Sequence, residues 1–143
     1  MRILARLITA SCAGALACGC VTIEDTVRRD TRYGILSMAA AFSESEGARG
    51  RAAAVEASLS RVRAALKDPD SAQFQNIGVV PLPSGAVICG DLNARNGYGG
   101  YTGFSPFVAS PSRAILRRDS ADAAVRGMNW AIFDACELGT SAF

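Results

Sequence analysis

The 143 residues of this sequence include no histidine, and its candidate side chains for catalysis or cross-linking are carboxylates and cysteines. Without histidine the chain lacks the usual general base and the commonest zinc ligand. Asp91 together with Asp119, or with Asp134, could form the carboxylate pair that glycan cleavage requires. Nothing in the spacing of these residues favours such a pair. We therefore expect no enzyme, no cofactor and no metal site, and keep a periplasmic glycan-acting enzyme as the alternative.

The first twenty residues, MRILARLITASCAGALACGC, are typical of a secretory signal peptide. Arg2 and Arg6 precede an apolar stretch over residues 7–17, and small residues follow it. That stretch is well short of the roughly 20 apolar residues that a membrane-spanning helix needs. We expect residues 1–20 to direct export.

Two cysteines near the end of this segment resemble the modified residue of bacterial lipoproteins. Cys20 follows Ala17, Cys18 and Gly19, and we expect it to be lipidated, with Cys18 as the alternative. A lipoprotein of this kind would be anchored in the outer membrane and face the periplasm. Ordinary cleavage after Ala17 would instead release a soluble periplasmic protein.

Cys89 and Cys136 would then be the cysteines left in the folded domain. Two cysteines in an exported chain predict one disulfide. A redox-active pair is disfavoured because neither residue lies in a C-x-x-C arrangement. We therefore expect a structural bridge between Cys89 in a central strand and Cys136 in a helix that covers it.

The stretch over residues 86–107 predicts a β-hairpin around Asn96-Gly97, a dipeptide that tolerates the positive φ angles of a tight turn. Amide, arginine and aromatic side chains concentrate near its tip, where they could stack on sugar rings or hold a peptide. The candidate binding surface comprises Asn93, Arg95, Asn96, Tyr98, Tyr101 and Phe104. The alternative is turn chemistry, in which the glycines bend the strand and the aromatic side chains pack onto helices.

Apolar periodicity predicts a helix over residues 51–67 and a second from Asp119-Ser120 to Leu138. The first would bury Val55, Leu59, Val62 and Leu66, and the second Val125, Met128, Ile132 and Ala135, widened by Trp130 and Phe133. Gly127 indicates close approach of the second helix to the sheet. Short strands are predicted over residues 77–80 and 113–117, beside the two arms of the hairpin.

This order of elements predicts an α+β fold: a small antiparallel sheet of three to four strands, with an N-terminal and a C-terminal helix packed on one face. The predicted organisation is a signal peptide over 1–20, a polar tether and short apolar helix over 21–48, one domain over 49–139 and a tail over 140–143. Without Arg2 and Arg6, basic and acidic residues are equal in number. A near-neutral domain without a basic cluster gives no reason to expect nucleic-acid binding.

Two segments, LKDPDSAQF at 66–74 and ICGDLNARNGYGGYTGF at 88–104, are similar to an uncharacterised group of small bacterial exported proteins. In that group a DP-x-SA-x-F turn precedes a CG-x-x-NA-x-N-x-YGGY-x-G-F hairpin. The resemblance covers roughly residues 55–138; it implies one folded unit in an exported protein and carries no activity. We expect a small binding or structural module of the cell envelope, whose partners are the membrane, through its lipid, and an envelope protein or glycan.

Overall fold

The computed structural model describes residues 21–143, so the expected signal peptide and both candidate lipidation sites, Cys18 and Cys20, lie outside the described residues. In chain order the main elements are α1 (Ile23–Arg49), α2 (Arg51–Arg63), β1 (Gln73–Leu82), β2 (Gly85–Asn93), β3 (Ser105–Ala109), β4 (Ala114–Leu116) and α3 (Ala123–Phe133). A π-helical turn, Asp134–Leu138, and a 3₁₀ turn, Gly139–Ala142, follow α3. No helix within this part of the chain is long and apolar enough to cross a membrane.

The four strands form one antiparallel sheet in the order β1-β2-β3-β4. β1 and β2 are joined by a tight turn that pairs Leu82 with Gly85, and β2 pairs with β3 from Ile88 to Leu92. β2 therefore lies inside the sheet, as its nearly unbroken apolar sequence predicts. The α+β fold is confirmed, and the first and last helices both contact the sheet.

Side chains of β2 alternate between two apolar cores, one on each side of the sheet. Val87 and Cys89 point towards α1 and α3, whereas Ile88 and Leu92 point towards α2. The first and last helices thus share one face, which we call the α1–α3 face, and α2 covers the other. The helix predicted over residues 51–67 therefore does not lie beside the last helix, because α1 already occupies that position.

α1 is one helix of 27 residues where the sequence predicted a polar tether and a short apolar helix. Thr22 caps it: its hydroxyl accepts the Asp25 N–H, and the Asp25 carboxylate in turn accepts from Thr22. Ile35 and Phe42 are fully buried, so the short apolar helix predicted in this segment does pack into the core. The polar segment before them is helical because its charged side chains pair with α3. The folded domain therefore begins at α1 and not at residue 49.

The predicted stripe of α2 faces the core, but within it only Val62 is fully buried, and two small side chains share the centre of the contact. Ala54, Ser58 and Val62 are fully buried, while Val55 and Leu59 are only partly buried. The Ser58 hydroxyl donates to the Ala54 carbonyl oxygen at 2.7 Å, which satisfies it inside the core. Small residues at the contact let the helix approach the sheet closely. Ala54 and Ser58 are therefore the buried residues, one position before the predicted Val55 and Leu59.

α3 begins later than predicted and makes its close approach to a helix. Asp122, not Asp119 or Ser120, is the N-cap, and its carboxylate accepts the N–H groups of Ala124 and Val125. A Cβ on Gly127 would overlap the Glu24 carbonyl oxygen of α1. Gly127 therefore allows the backbones of α1 and α3 to touch. The close approach is between these two helices and not between α3 and the sheet.

Two cross-links hold the α1–α3 face together. Cys89 of β2 and Cys136, which follows α3, are joined by a disulfide with their Cα atoms 5.6 Å apart. Asp134 is fully buried and accepts two hydrogen bonds from the Arg28 guanidinium of α1, at 2.7 and 2.5 Å. The C-terminal residues pack on the same face of the domain, since the Arg32 guanidinium lies 4.8 Å from the Phe143 ring centre. Residues 140–143 are thus packed against α1 and do not form a free tail.

Candidate binding surfaces

The predicted hairpin turn is a longer loop, residues 94–104, between β2 and β3. Asn96 organises its tip: its backbone N–H donates to the Gly100 carbonyl oxygen at 2.8 Å, and its carbonyl oxygen accepts the Gly99 N–H at 3.0 Å. The Asn96 side-chain oxygen also accepts the N–H groups of Tyr98 and Gly100. The positive φ falls on Gly99, at 83°, so Asn96-Gly97 does not form a two-residue turn.

The base of the loop is bonded to the rest of the domain. The Arg95 N–H donates to the Ser71 hydroxyl at 2.9 Å, and the Gly103 N–H donates to the Asn93 side-chain oxygen at 3.1 Å. The Arg95 guanidinium lies 5.5 Å from the Tyr101 ring centre and 3.8 Å from an Asp68 carboxylate oxygen. The three polar candidates, Asn93, Arg95 and Asn96, therefore fix the loop conformation.

The three aromatic candidates point away from the core. Tyr98 is 100% exposed, and Tyr101 and Phe104 are each nearly half exposed, whereas Phe107 on β3 is fully buried. Tyr98 therefore does not pack onto a helix, whereas Tyr101 and Phe104 are partly covered. The loop (Asn93, Arg95, Asn96, Tyr98, Tyr101 and Phe104) is an ordered scaffold that displays aromatic rings to solvent.

A cavity of about 210 Å³ lies at the base of this loop. Arg95, Asn96 and Thr102 line one side, and Leu116 and Arg117 line the other. Its mixed lining of arginine, amide and apolar groups could hold a polar ligand that also has an apolar side.

A second surface, which sequence reasoning placed in the core, lies on the outer side of α3. Trp130 and Phe133 are 46% and 44% exposed, and their rings meet edge to face with centres 5.8 Å apart. They are exposed because α1 covers the side of α3 that carries Gly127 and Ala131. Arg126, Trp130, Phe133 and Glu137 follow one another at intervals of four, three and four residues. This helical spacing places all four side chains on one outward-facing stripe. That spacing was the signal in the sequence that could have revealed the surface.

A cavity of about 410 Å³ adjoins this stripe. Pro106 and Arg117 line both cavities, so the α3 surface and the loop surface are neighbours.

Arginines surround the α3 aromatic pair, and each has an acidic partner. Arg28 lies 5.6 Å from the Trp130 ring centre, and the hydrogen bonds that it donates to Asp134 raise the pKa of the Arg28 guanidinium. Arg126 donates to a Glu24 carboxylate oxygen at 2.9 Å and to the Ala121 carbonyl oxygen. The surface is therefore close to neutral, with cationic groups at the edges of an aromatic centre.

The three candidate catalytic carboxylates have separate partners. Asp134 is buried against Arg28 and has no contact with solvent. Asp91 accepts a hydrogen bond from the side chain of Asn76, which has a positive φ of 53° at an irregularity in β1. Asp119 is exposed and pairs with Arg117 at 3.1 Å. The burial of Asp134 makes it a structural residue, and the geometry gives no positive support to a carboxylate pair that cleaves glycans.

Among residues 21–143, no group of three His, Cys, Asp or Glu side chains is placed to hold a metal ion. Comparison of the chain with protein-family models, with curated proteins and with solved structures finds no match. The chemistry of both surfaces is therefore deduced from the residues of this chain alone.

Proposed function

We propose that this protein is a small cell-envelope binding module, anchored by a lipid on Cys20, which binds an envelope glycan through the loop over residues 94–104. The observation that carries the proposal is the full exposure of Tyr98 on a loop whose backbone is held by internal hydrogen bonds. An ordered loop with outward aromatic rings binds at little entropic cost, since few groups must be immobilised on binding.

The surroundings of Tyr98 suit a sugar polymer. Tyr101 and Phe104 provide further flat apolar faces, and the Arg95 guanidinium beside Tyr101 can donate to hydroxyl or acidic groups. The cavity at the base of the loop offers a pocket for one substituent of such a polymer.

Co-sedimentation with purified cell-wall glycan tests this proposal. We expect a Tyr98→Ala, Tyr101→Ala variant to bind at least about fivefold more weakly, because two stacking contacts contribute about 0.5–1.5 kcal/mol each. Tyr33→Ala is the matched control, since Tyr33 is the remaining tyrosine, is 66% exposed, and lies on α1. Equal binding by all three proteins would contradict the loop site.

The class of partner can be tested separately. A photo-cross-linking residue at position 98 should yield a glycan adduct in cells. A discrete protein adduct, together with no sedimentation of the wild type, would show that the loop binds a protein instead.

The anchor requires its own measurement. Labelled palmitate should appear on the wild-type protein and disappear in Cys20→Ser. If the label persists in that variant and is lost in Cys18→Ser, the modified residue is Cys18. An unlabelled wild type would mean that the protein is released after cleavage at Ala17.

A further inference from the structure

The start of α1 leaves very little chain between the proposed lipid and the folded domain. Val21 and Thr22 are the only residues between Cys20 and Ile23, the first residue of α1. Three residue steps reach at most about 10 Å. α1 is held rigidly by its cap and by the contact of Glu24 with Gly127. A lipid on Cys20 would therefore hold the domain against the bilayer, and not on a long flexible tether.

The two helices of the α1–α3 face run in the same direction, so α3 also starts near the proposed anchor. Glu24 contacts Arg126, one turn later Arg28 contacts Trp130 and Asp134, and Arg32 lies near Phe143. Trp130 lies three residues beyond Gly127, which is about 4.5 Å along the helix. The aromatic pair is thus within a turn or two of the point where the chain would meet the membrane.

The side chains of this surface match the interfacial region of a bilayer. Tryptophan is enriched there because its ring is apolar while its N–H needs a polar partner. Arg126 and Arg117 flank the pair and can donate to lipid phosphates. A second copy of the chain is a poorer occupant, because two half-exposed aromatic side chains bury far less than the roughly 1,200 Å² of a stable interface.

We propose that the outward stripe of α3, centred on Trp130 and Phe133, docks on the phospholipid surface of the membrane in which the lipid of Cys20 is inserted. This inference rests on the lipid anchor of the proposed function and extends it: the lipid attaches the protein, and the aromatic pair sets its orientation. α2, on the opposite face of the sheet, then points away from the bilayer.

Trp130 is the single tryptophan of the chain, so the intrinsic fluorescence of the protein reports this surface directly. The lipidated protein, purified from membranes, is reconstituted into phosphatidylethanolamine–phosphatidylglycerol vesicles with and without brominated acyl chains. We expect the brominated lipid to reduce Trp130 emission about twofold or more, because an interfacial indole lies within contact range of the upper acyl chain.

A relocated tryptophan provides the control. In Trp130→Phe, Ser60→Trp the fluorophore lies on the exposed side of α2, on the far side of the sheet. Its emission should be unaffected by brominated lipid. Equal quenching at both positions, or no quenching at Trp130, would overturn the docking surface.

Palmitate labelling of the same preparations separates this inference from the anchor. A labelled protein whose Trp130 is not quenched retains its anchor and refutes the docking. A protein without label refutes both, because the docking depends on the short link to Cys20.

Discussion

The two faces of the sheet are covered in different ways. The α1–α3 face combines apolar packing with a disulfide, a buried ion pair and a glycine that admits the neighbouring backbone. The α2 face is held by apolar contacts, with the Ser58 hydroxyl satisfied inside its own helix. Apolar contacts are non-directional and tolerate repacking, whereas the cross-links of the other face require one arrangement. We therefore expect α2 to be the more easily detached layer.

Removal of the disulfide should have the largest effect on this difference. Cys89→Ala with Cys136→Ala opens a link between residues 47 positions apart, for which the chain-entropy model gives about 4 kcal/mol. Denaturant unfolding of the variant and of reduced wild type should show similar losses. A loss below about 1 kcal/mol would mean that the α1–α3 face does not depend on its covalent link.

Loss of the buried carboxylate should rank second. Asp134→Ala leaves Arg28 without its partner, and we expect the free energy of unfolding to fall by about 3 kcal/mol. This lies at the lower end for a broken buried pair because the Arg28 side chain is partly exposed and can turn to water. Asp30→Ala is the control, since Asp30 is exposed on α1, the helix that carries Arg28. This change should alter stability by less than about 0.5 kcal/mol. Equal effects in chemical denaturation would contradict the structural role of Asp134.

Shortening a buried side chain of α2 should lower the free energy of unfolding by a smaller amount. Val62→Ala removes buried methyl groups and should destabilise by about 2 kcal/mol, while Arg61→Ala should stay within about 0.5 kcal/mol.

Hydrogen exchange sharpens the comparison, because α2 amides should exchange faster in Val62→Ala while β2 amides remain protected. Uniform loss of protection in both elements would show that the two faces unfold together.

Removal of the N-terminal cap of α1 should have the smallest effect on stability, and that effect should depend on pH. The hydrogen bond from Thr22 lowers the pKa of the Asp25 carboxyl from its ordinary value of 3.8. A lowered pKa in the folded state adds stability above pH 3.8 and loses it as the pH falls through the lowered value. Thr22→Ala should therefore lower Tm by a few degrees at neutral pH and make less difference in acid. A Tm difference that is constant across this range would exclude the capping box as its cause.

The central strand and its covering could be predicted because they depend on local pattern. The alternation of side chains along a strand places Val87 and Ile88 on opposite faces of β2, and the predicted short apolar helix contains the buried Ile35 and Phe42. These features follow from the period of the backbone and need no knowledge of distant residues.

The beginning of α1 could not be predicted in that way. Glu24 and Arg28 appear in the sequence as part of a polar tether, yet they pair with Arg126 and Asp134, more than a hundred positions away. Trp130 was assigned to the core for the same reason, since nothing in the sequence places α1 on the other side of α3. Both errors come from one unpredicted contact, between α1 and the segment from Arg126 to Asp134.

That contact also dictates an order of events during synthesis. α1 is synthesised about a hundred residues before Gly127 and Asp134, against which it packs. Until then the apolar side chains of α1 lack the part of their covering that α3 supplies, and contacts of such long sequence separation form slowly. The packing of α1 is thus completed only after residue 134 has been synthesised, and a chain that stops before α3 would need a chaperone at this segment.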